Sequence, residues 1–260
     1  METAPNLRPD AFAGTAKAYL RFRPPYSARL LEALLARVDL PRGAILLDLA
    51  CGPGRIALAL AHRFDRVWAV DLEPEMIAVG RTEGERLGIS NVAWIIGAAE
   101  QADIPSASVD LITIGEAFHR LDQASVLANA LRWLKPGGWI AALWTDGPLS
   151  GGAGWKGEVA RIAKRFFPVG WVESRPGAAS PIEAFRRVGF VDVQDRAFSE
   201  PWAWSLEAIV GYLRSTSVCS DLALGGDSAR LEAELRCALG GDGPFHDELR
   251  CGYTAARKPD

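Results

Sequence analysis

The sequence has few of the residues that build metal sites and disulfide frameworks. Only three histidines and four cysteines occur among 260 residues. The cysteines lie at Cys51, Cys219, Cys237 and Cys251, and no two of them form a Cys-x-x-Cys pair. We therefore expect no metal site, no structural disulfide and a reducing, cytoplasmic setting.

Long apolar segments are also missing. No run approaches the roughly 20 apolar residues of a transmembrane helix, and residues 1–19 contain no apolar stretch of signal-peptide length. The net charge of −3 gives phosphate backbones and anionic lipids no general attraction to the chain. These features predict a monomer or homodimer that handles a small molecule and has no nucleic-acid or membrane partner.

Short apolar runs alternate with amphipathic helical patterns over the first 145 residues. This alternation is typical of βαβ units, which build a parallel sheet with helices on both faces. Two further apolar runs follow later in the chain. The sequence predicts an α/β fold with a doubly wound, seven-stranded, mostly parallel sheet whose last strand is antiparallel, and strands near 44–49, 66–70, 92–96, 109–114, 139–145, 190–198 and 248–257.

A glycine turn follows the first predicted strand. Ile45–Leu49 leads into Gly52-Pro53-Gly54, and Asp71 ends the second apolar run 19 residues past Gly52. Such turns let backbone N–H groups approach a nucleotide-like ligand, and the segment also fits the dinucleotide pattern G-x-G-x-x-A. A nicotinamide-dependent oxidoreductase is therefore one interpretation.

Two further features favour a different cofactor. Asp48 stands on the strand where a nicotinamide-binding fold usually has an aliphatic residue or glycine, and a tight Pro136-Gly137-Gly138 turn precedes the fifth strand. The segments LLDLACGPG, VWAVDLEPEM, GAAEQADIPSASVDLITI, EAFH and LKPGG together resemble class I S-adenosylmethionine-dependent methyltransferases over about residues 20–145. The resemblance is to the small-molecule group that includes trans-aconitate-like and antibiotic-tailoring enzymes.

The resemblance implies a Rossmann-like methyltransferase fold, S-adenosylmethionine as cofactor, and methyl transfer to oxygen or nitrogen of a small metabolite such as a natural product. It also implies an N-terminal helical lid at 1–40 and a core at 41–260. The core carries a lid insertion at about 199–247, with helices near 205–218 and 227–239. A methyltransferase-like protein that retains the cofactor for cyclase or regulatory use stays open, because fold does not fix function.

The cofactor residues follow from the same motifs. Asp48 would orient the glycine loop or the ligand's amino group, and Asp71 would accept both ribose hydroxyls, since a carboxylate offers lone pairs to two donors. Ala98 stands where many relatives have an acid, which leaves Glu100 as the nearest acidic partner for adenine. The remaining expected cofactor contacts are Ala50, Gly52, Gly54, Leu72, Met76, Ala99 and Glu116.

The segment after the fourth strand should border the transferred methyl group, because ligands of open α/β sheets lie outside the carboxyl ends of the strands. His119 in this segment is the candidate catalytic residue, either as a general base or as a group that orients the substrate. Arg120 replaces a tryptophan common in similar sequences and hints at a polar or anionic substrate group. Methyl transfer also depends strongly on positioning, so a base is not obligatory.

Other candidates lie outside these motifs. Arg23 would pair with the cofactor carboxylate, and Tyr19 would contact the substrate. Trp144, at the end of the fifth strand, is the best pocket candidate among the tryptophans of the later half, which also include Trp155, Trp171, Trp202 and Trp204. Cys51 has no activating histidine beside it in the sequence, so we expect it to be structural.

Overall fold

The fold is described by a computed structural model over residues 12–151, 153–166, 178–217 and 227–260. Trp171, Cys219 and parts of the expected lid segments lie outside these ranges. The described residues contain no helix that is both long and apolar enough to cross a bilayer.

Seven strands form one sheet in the order β3-β2-β1-β4-β5-β7-β6. The first four pairings of this order are parallel, so the carboxyl ends of β3, β2, β1, β4 and β5 meet at one edge. The strands are β1 Ile45–Leu49, β2 Arg66–Asp71, β3 Val92–Ile96, β4 Val109–Gly115, β5 Leu134–Thr145, β6 Val191–Trp204 and β7 Phe245–Arg257. The prediction of a doubly wound, mostly parallel sheet is confirmed.

Some of the helices begin at a residue whose side chain caps the first turn. The hydroxyl of Ser27 and the carboxylate of Asp122 each accept a hydrogen bond from the first turn of the helix that follows, and Ser180 with Glu183 forms a capping box. The helices are α1 Ala16–Phe22, α2 Ala28–Arg37, α3 Arg55–Leu60, α4 Pro74–Arg86, α5 Gln123–Trp133, α6 Gly154–Phe166, α7 Pro181–Arg187, α8 Leu206–Arg214 and α9 Ser228–Leu239.

Successive residues of β1 pack into two different hydrophobic cores, one on each face of the sheet. Leu46 of β1 packs with leucines of α2 and with α3 on one face of the sheet. Leu47 packs with α5 and α7 on the other face. Both leucines are fully buried. A strand buried on both sides reads as a continuous apolar run, which explains the clear sequence signal of β1.

Three strands differ from their predicted bounds by more than one residue. β5 begins at Leu134, which pairs with Val109 before the register jumps to Leu111 opposite Trp139. The Pro136-Gly137-Gly138 segment is therefore an irregularity within β5 rather than a turn that precedes it. β6 continues to Trp204 and β7 begins at Phe245, so the insertion between these strands is shorter than the predicted 199–247.

The described residues divide into two compact units. The core unit comprises residues within 25–144, 173–198 and 251–260, and the helical unit comprises residues within 1–24, 145–172 and 199–250. The expected N-terminal boundary near residue 40 differs from this division, because the buried leucines of α2 belong to the core unit. α6 joins the helical unit, which the sequence did not indicate. A lid function of these segments stays a prediction.

The helical unit has its own apolar core, to which α6, α8 and α9 contribute. α1 packs on α8, and Gly211 of α8 makes room for the ring of Phe22, since a methyl group at this position would overlap it. Lys156 and Asp247 form a largely buried ion pair of 2.7 Å, and the indole N–H of Trp204 donates to the same carboxylate at 3.3 Å.

Candidate functional site at the carboxyl edge of the sheet

Asp48 is a buried carboxylate that joins three elements. It lies on β1 and is 1% exposed. Its oxygens accept hydrogen bonds from the hydroxyl of Thr113 on β4 at 2.7 Å and from the backbone N–H of Ala57 in the first turn of α3 at 3.1 Å. Asp48 therefore caps α3 from the neighbouring strand and fixes where the glycine turn ends. This geometry favours the predicted loop-orienting role over contact with a ligand amino group.

Asp71 holds the other side of the glycine turn. It ends β2, and its two oxygens accept from the N–H of Gly52 at 2.7 Å and from the N–H of Glu73 at 2.9 Å. Burial raises the pKa of Asp71, and the backbone hydrogen bonds oppose that rise. Each carboxylate oxygen has two lone pairs, so Asp71 retains acceptor capacity for a ligand diol while it supports the turn.

Strained backbone follows two adjacent strands at this edge. Ala50, after β1, and Glu116, after β4, have φ of 50° and 54°. Non-glycine residues adopt such values only where the surroundings enforce them. The N–H of Cys51 donates to the carbonyl of Val70, and the N–H of Glu116 donates to the carbonyl of Leu143. The neighbouring strands thus hold both bends.

The segment that carries His119 is anchored on both sides. A short 3-10 helix, Phe118–Arg120, follows β4, and its Phe118 is buried edge-on against Phe185 at a centroid distance of 5.4 Å. The amide of Gln123 donates to the carbonyl of Phe118 at 3.4 Å and to that of Ala179 at 2.9 Å. His119 and Arg120 are half-buried on this fixed turn.

Glu100 supports the same segment. Its carboxylate accepts from the backbone N–H of Asp122 at 2.9 Å, and its carbonyl accepts from the side-chain amide of Asn129 at 2.8 Å. Glu100 therefore links the loop after β3 to the start of α5. An adenine contact of Glu100 stays a prediction, and its observed partner is the protein backbone.

The residues expected around adenine differ in exposure. Leu72, directly after Asp71, is 45% exposed and offers apolar surface at the edge. Met76 on α4 is 3% exposed and Ala99 is 5% exposed, so neither side chain offers much surface to a ligand. Their cofactor contacts stay predictions. Ile96 ends β3 opposite Asp71 and is 57% exposed, so it adds apolar surface that the motifs did not indicate.

Trp144 lies near the carboxyl end of β5 and is half-buried. Its indole packs over Gly252 of β7, where a methyl group would lie 2.7 Å from the ring. The carbonyl oxygen of Arg196 on β6 would lie closer still, so both Trp144 and the neighbouring strand require glycine at this position. The structure places Trp144 at the expected edge of the sheet, and its role in substrate binding stays a prediction.

Arg23 and Tyr19 belong to the helical unit. The guanidinium of Arg23 stacks between the rings of Tyr19 and Tyr212, at 4.7 and 4.5 Å from their centroids, and donates to the hydroxyl of Ser215 at 2.8 Å. These contacts give Arg23 a defined place within its unit. Two contacts stay predictions: that of Arg23 with the cofactor carboxylate, and that of Tyr19 with the substrate.

The chemistry of Cys51 matches its expected structural role. Burial raises the pKa of the Cys51 thiol well above its usual value, and the nearby charges of Asp48 and Asp71 raise it further. A thiol in this state is a poor nucleophile near neutral pH. Among the described residues, Cys51, Cys237 and Cys251 form no disulfide.

Several contacts that shape the site have no signal in the sequence motifs. Gly115 leaves room for the hydroxyl of Tyr26, because a methyl group there would overlap it. Trp94 on β3 fills the space beside Gly54 in a similar way. Only the isolated glycines in otherwise regular patterns could have indicated close approach at these positions.

Comparisons with known proteins agree with this geometry. Residues 46–138, which include the glycine turn, Asp71 and the segment after β4, match the family model described as a methyltransferase domain. The chain is 29% identical to demethylmenaquinone methyltransferase of Geobacillus kaustophilus over 204 residues, which span 70% of this chain and 85% of that protein.

Solved structures show the same fold. A protein of Anaeromyxobacter dehalogenans assigned as a type II methyltransferase superposes with a TM-score of 0.59 at 26% identity, over 92% of this chain and 98% of the other. A phosphoethanolamine N-methyltransferase of Haemonchus contortus, solved with S-adenosylhomocysteine, gives 0.54 at 20% identity, over 94% of this chain and 57% of the other.

The sheet order, the glycine turn and the acid that ends β2 define an α/β protein whose glycine turn lies at the carboxyl edge of a mostly parallel sheet. Residues 46–138 carry a methyltransferase domain, and the fold around them is that of the class I S-adenosylmethionine-dependent methyltransferases. This match favours S-adenosylmethionine over the nicotinamide alternative.

The buried state of Asp48 predicts a dependence of stability on pH. Burial raises the pKa of Asp48 from 3.8 to about 7, against the hydrogen bonds from Thr113 and Ala57. Because the folded value exceeds the unfolded one, the stability that Asp48 contributes is fully present below about pH 4 and is lost as the pH rises through 7. We expect the unfolding free energy of the wild type, minus that of Asp48→Asn, to fall by up to about 4 kcal/mol over this range.

Urea unfolding at several pH values measures this difference. Thr113→Val serves as the companion variant. Loss of the hydrogen bond that Thr113 donates raises the pKa of Asp48 further, so the pH range over which the stability difference falls extends to higher pH. A difference that stays constant between pH 4 and 8 contradicts the prediction.

Proposed function

We propose that the protein transfers the methyl group of S-adenosylmethionine to an oxygen or nitrogen atom of a small metabolite such as a natural product. The observation that carries this proposal is the glycine turn between two carboxylates, Asp48 beneath α3 and Asp71 at the end of β2. The match to a methyltransferase domain supports the same cofactor.

The residues at the carboxyl edge fit this cofactor. Asp71 can accept from a ribose diol with the lone pairs that the backbone leaves, and the exposed side chain of Leu72 can cover one face of an adenine ring. The strained backbone of Ala50 and the half-buried Glu116 border the neighbouring strand ends, where the methionine portion would lie. When bound, S-adenosylmethionine supplies an electrophilic methyl group on a sulfonium.

Asp71→Asn tests the cofactor site. The amide keeps the size of the side chain but loses the charge and one acceptor oxygen, so both the turn and the diol lose a charge-assisted hydrogen bond. We expect the dissociation constant for S-adenosylhomocysteine to rise about 10- to 100-fold in isothermal titration calorimetry.

Asp192→Asn is the matched control. Asp192 is an exposed carboxylate on β6 that pairs with Arg257, and its φ of 52° suits asparagine. This variant should bind S-adenosylhomocysteine like the wild type. Equal affinities of the wild type and Asp71→Asn would overturn the placement of the ribose at Asp71.

His119 is a candidate for the group that removes a proton from the acceptor. We place His119 as the residue that orients the acceptor and removes a proton from its hydroxyl or amine, because the turn that carries it is fixed by Phe118, Gln123 and Glu100. Precise placement of such a group contributes to rate through both proximity and proton transfer. Arg120 and Trp144 would line the acceptor side.

His119→Asn tests this role. Loss of a general base lowers kcat by about 100-fold or more, whereas S-adenosylhomocysteine affinity should stay within about twofold of the wild type. The measurement is mass-detected methyl transfer to a panel of small phenols, alcohols and amines.

His62→Asn is the control, because His62 also lies in a three-residue 3-10 helix but at the far end of α3 and is exposed. An unchanged kcat in His119→Asn would remove His119 from the mechanism. If bound S-adenosylmethionine is never converted to S-adenosylhomocysteine with any acceptor, the cyclase or regulatory alternative gains support.

A further inference from the structure

Trp94 contacts the outer side of the glycine turn. It lies on β3, at the edge of the sheet, and is half-buried against the core shared with α2 and α3. A methyl group built at Gly54 would overlap the six-membered part of its indole ring, and the φ of Gly54 is +76°. The turn therefore needs glycine at this position for its backbone conformation and for the ring that packs on it.

The same ring lies against α4. A methyl group at Gly80 would lie 2.5 and 2.6 Å from two ring carbons of Trp94, and 2.9 Å from the carbonyl oxygen of Pro53. These distances are shorter than an ordinary van der Waals contact. The Pro53-Gly54 peptide is thus packed between the backbone of α4 and the indole.

The turn is consequently held on two sides by different forces. Asp48 and Asp71 hold it through hydrogen bonds from the sheet. Trp94 and Gly80 restrain it through close packing from β3 and α4. Such close contacts transmit displacement, because the turn cannot shift towards the indole or α4 unless one of them moves as well.

We infer that Trp94 is a positioning residue for cofactor binding, which acts through Gly54 and touches no reacting atom. This inference rests on the proposed cofactor site. The indole fixes the backbone N–H groups of the turn in the arrangement that receives the ligand, so less ordering is required when the ligand binds. A smaller side chain leaves the turn free to move towards β3.

Trp94→Leu tests the inference. The cavity should raise the dissociation constant for S-adenosylhomocysteine about tenfold in isothermal titration calorimetry. The KM for S-adenosylmethionine should rise similarly, with kcat changed less than threefold. Urea unfolding of each variant establishes that it folds and how much stability it has lost.

Trp68→Leu is the matched control. Trp68 is a half-buried tryptophan on the adjacent strand β2, but it packs against the core on the opposite face of the sheet. We expect a comparable loss of stability without a change in cofactor affinity. If both variants lose affinity equally, or neither does, Trp94 has only a general structural role and the inference is overturned.

A double-mutant cycle gives a second, independent measurement. Gly80→Ala alone should weaken S-adenosylhomocysteine binding, because the added methyl group displaces the indole and the turn. In the Trp94→Leu background the methyl group added at position 80 lies against a smaller side chain and displaces less. The dissociation constant of the double variant for S-adenosylhomocysteine should therefore rise less than the product of the two single-variant increases. Strict additivity overturns the inference.

The two proposals fail in different ways. If the wild type itself does not bind S-adenosylhomocysteine, the proposed function fails. If the wild type binds and Trp94→Leu binds equally well while the turn variant Asp71→Asn does not, only the positioning role of Trp94 is rejected.

Discussion

The ligand edge of this fold depends on one buried carboxylate. Asp48 accepts from Thr113 and from the N–H of Ala57, and so joins β1, β4 and the start of α3 at a single point. An ionised carboxylate in this position is costly, as its raised pKa indicates. The two donors partly offset that cost, and an apolar replacement would leave the first turn of α3 without its acceptor. The glycine turn lies between this point and Asp71, so both ends of the turn are fixed before any ligand arrives.

The sequence predicted the first four strands from their short apolar runs, which are clearest in β1 and β4 because these strands are buried on both faces. β3 was predicted with the bounds that the structure gives, and β1, β2 and β4 within one residue. Asp71 was predicted at the end of β2 as an acceptor for ribose hydroxyls, whereas its hydrogen bonds from the N–H groups of Gly52 and Glu73 were not predicted. The start of β5 was missed because Pro136 and the two glycines after it look like a turn, although Leu134 already pairs with Val109. β6 and β7 extend beyond their apolar patterns. Residues 199–204 alternate between exposed and more buried positions, but Ser199, Glu200 and Pro201 interrupt the apolar pattern there, as His246 and Asp247 do at the start of β7.

The contacts that refine the site could not be predicted in the same way. Glu100 caps the start of α5 through the N–H of Asp122, residues that are separated by 22 positions and are brought together only by the sheet order. Trp94 meets Gly54 and Gly80 from a third element. A glycine that is needed for space looks identical in sequence to one that is needed for a turn. The three-dimensional neighbours decide between these explanations, and no local pattern contains them.

Backbone strain occurs directly after both central strands of the sheet. Ala50 and Glu116 each hold a conformation that costs a non-glycine residue about 1–2 kcal/mol, and they follow the two central strands β1 and β4 at the same edge. The strands beside them enforce both bends, through the carbonyl of Val70 for the first and that of Leu143 for the second. Side chains before and after these bends are tightly placed, with Asp48 two residues before Ala50, and Phe118 two residues after Glu116. Ala107, before β4, and Asp192, on β6, also have positive φ, so such backbone is not confined to the carboxyl edge. What distinguishes Ala50 and Glu116 is that both directly follow a central strand and are held by a hydrogen bond to the strand beside it.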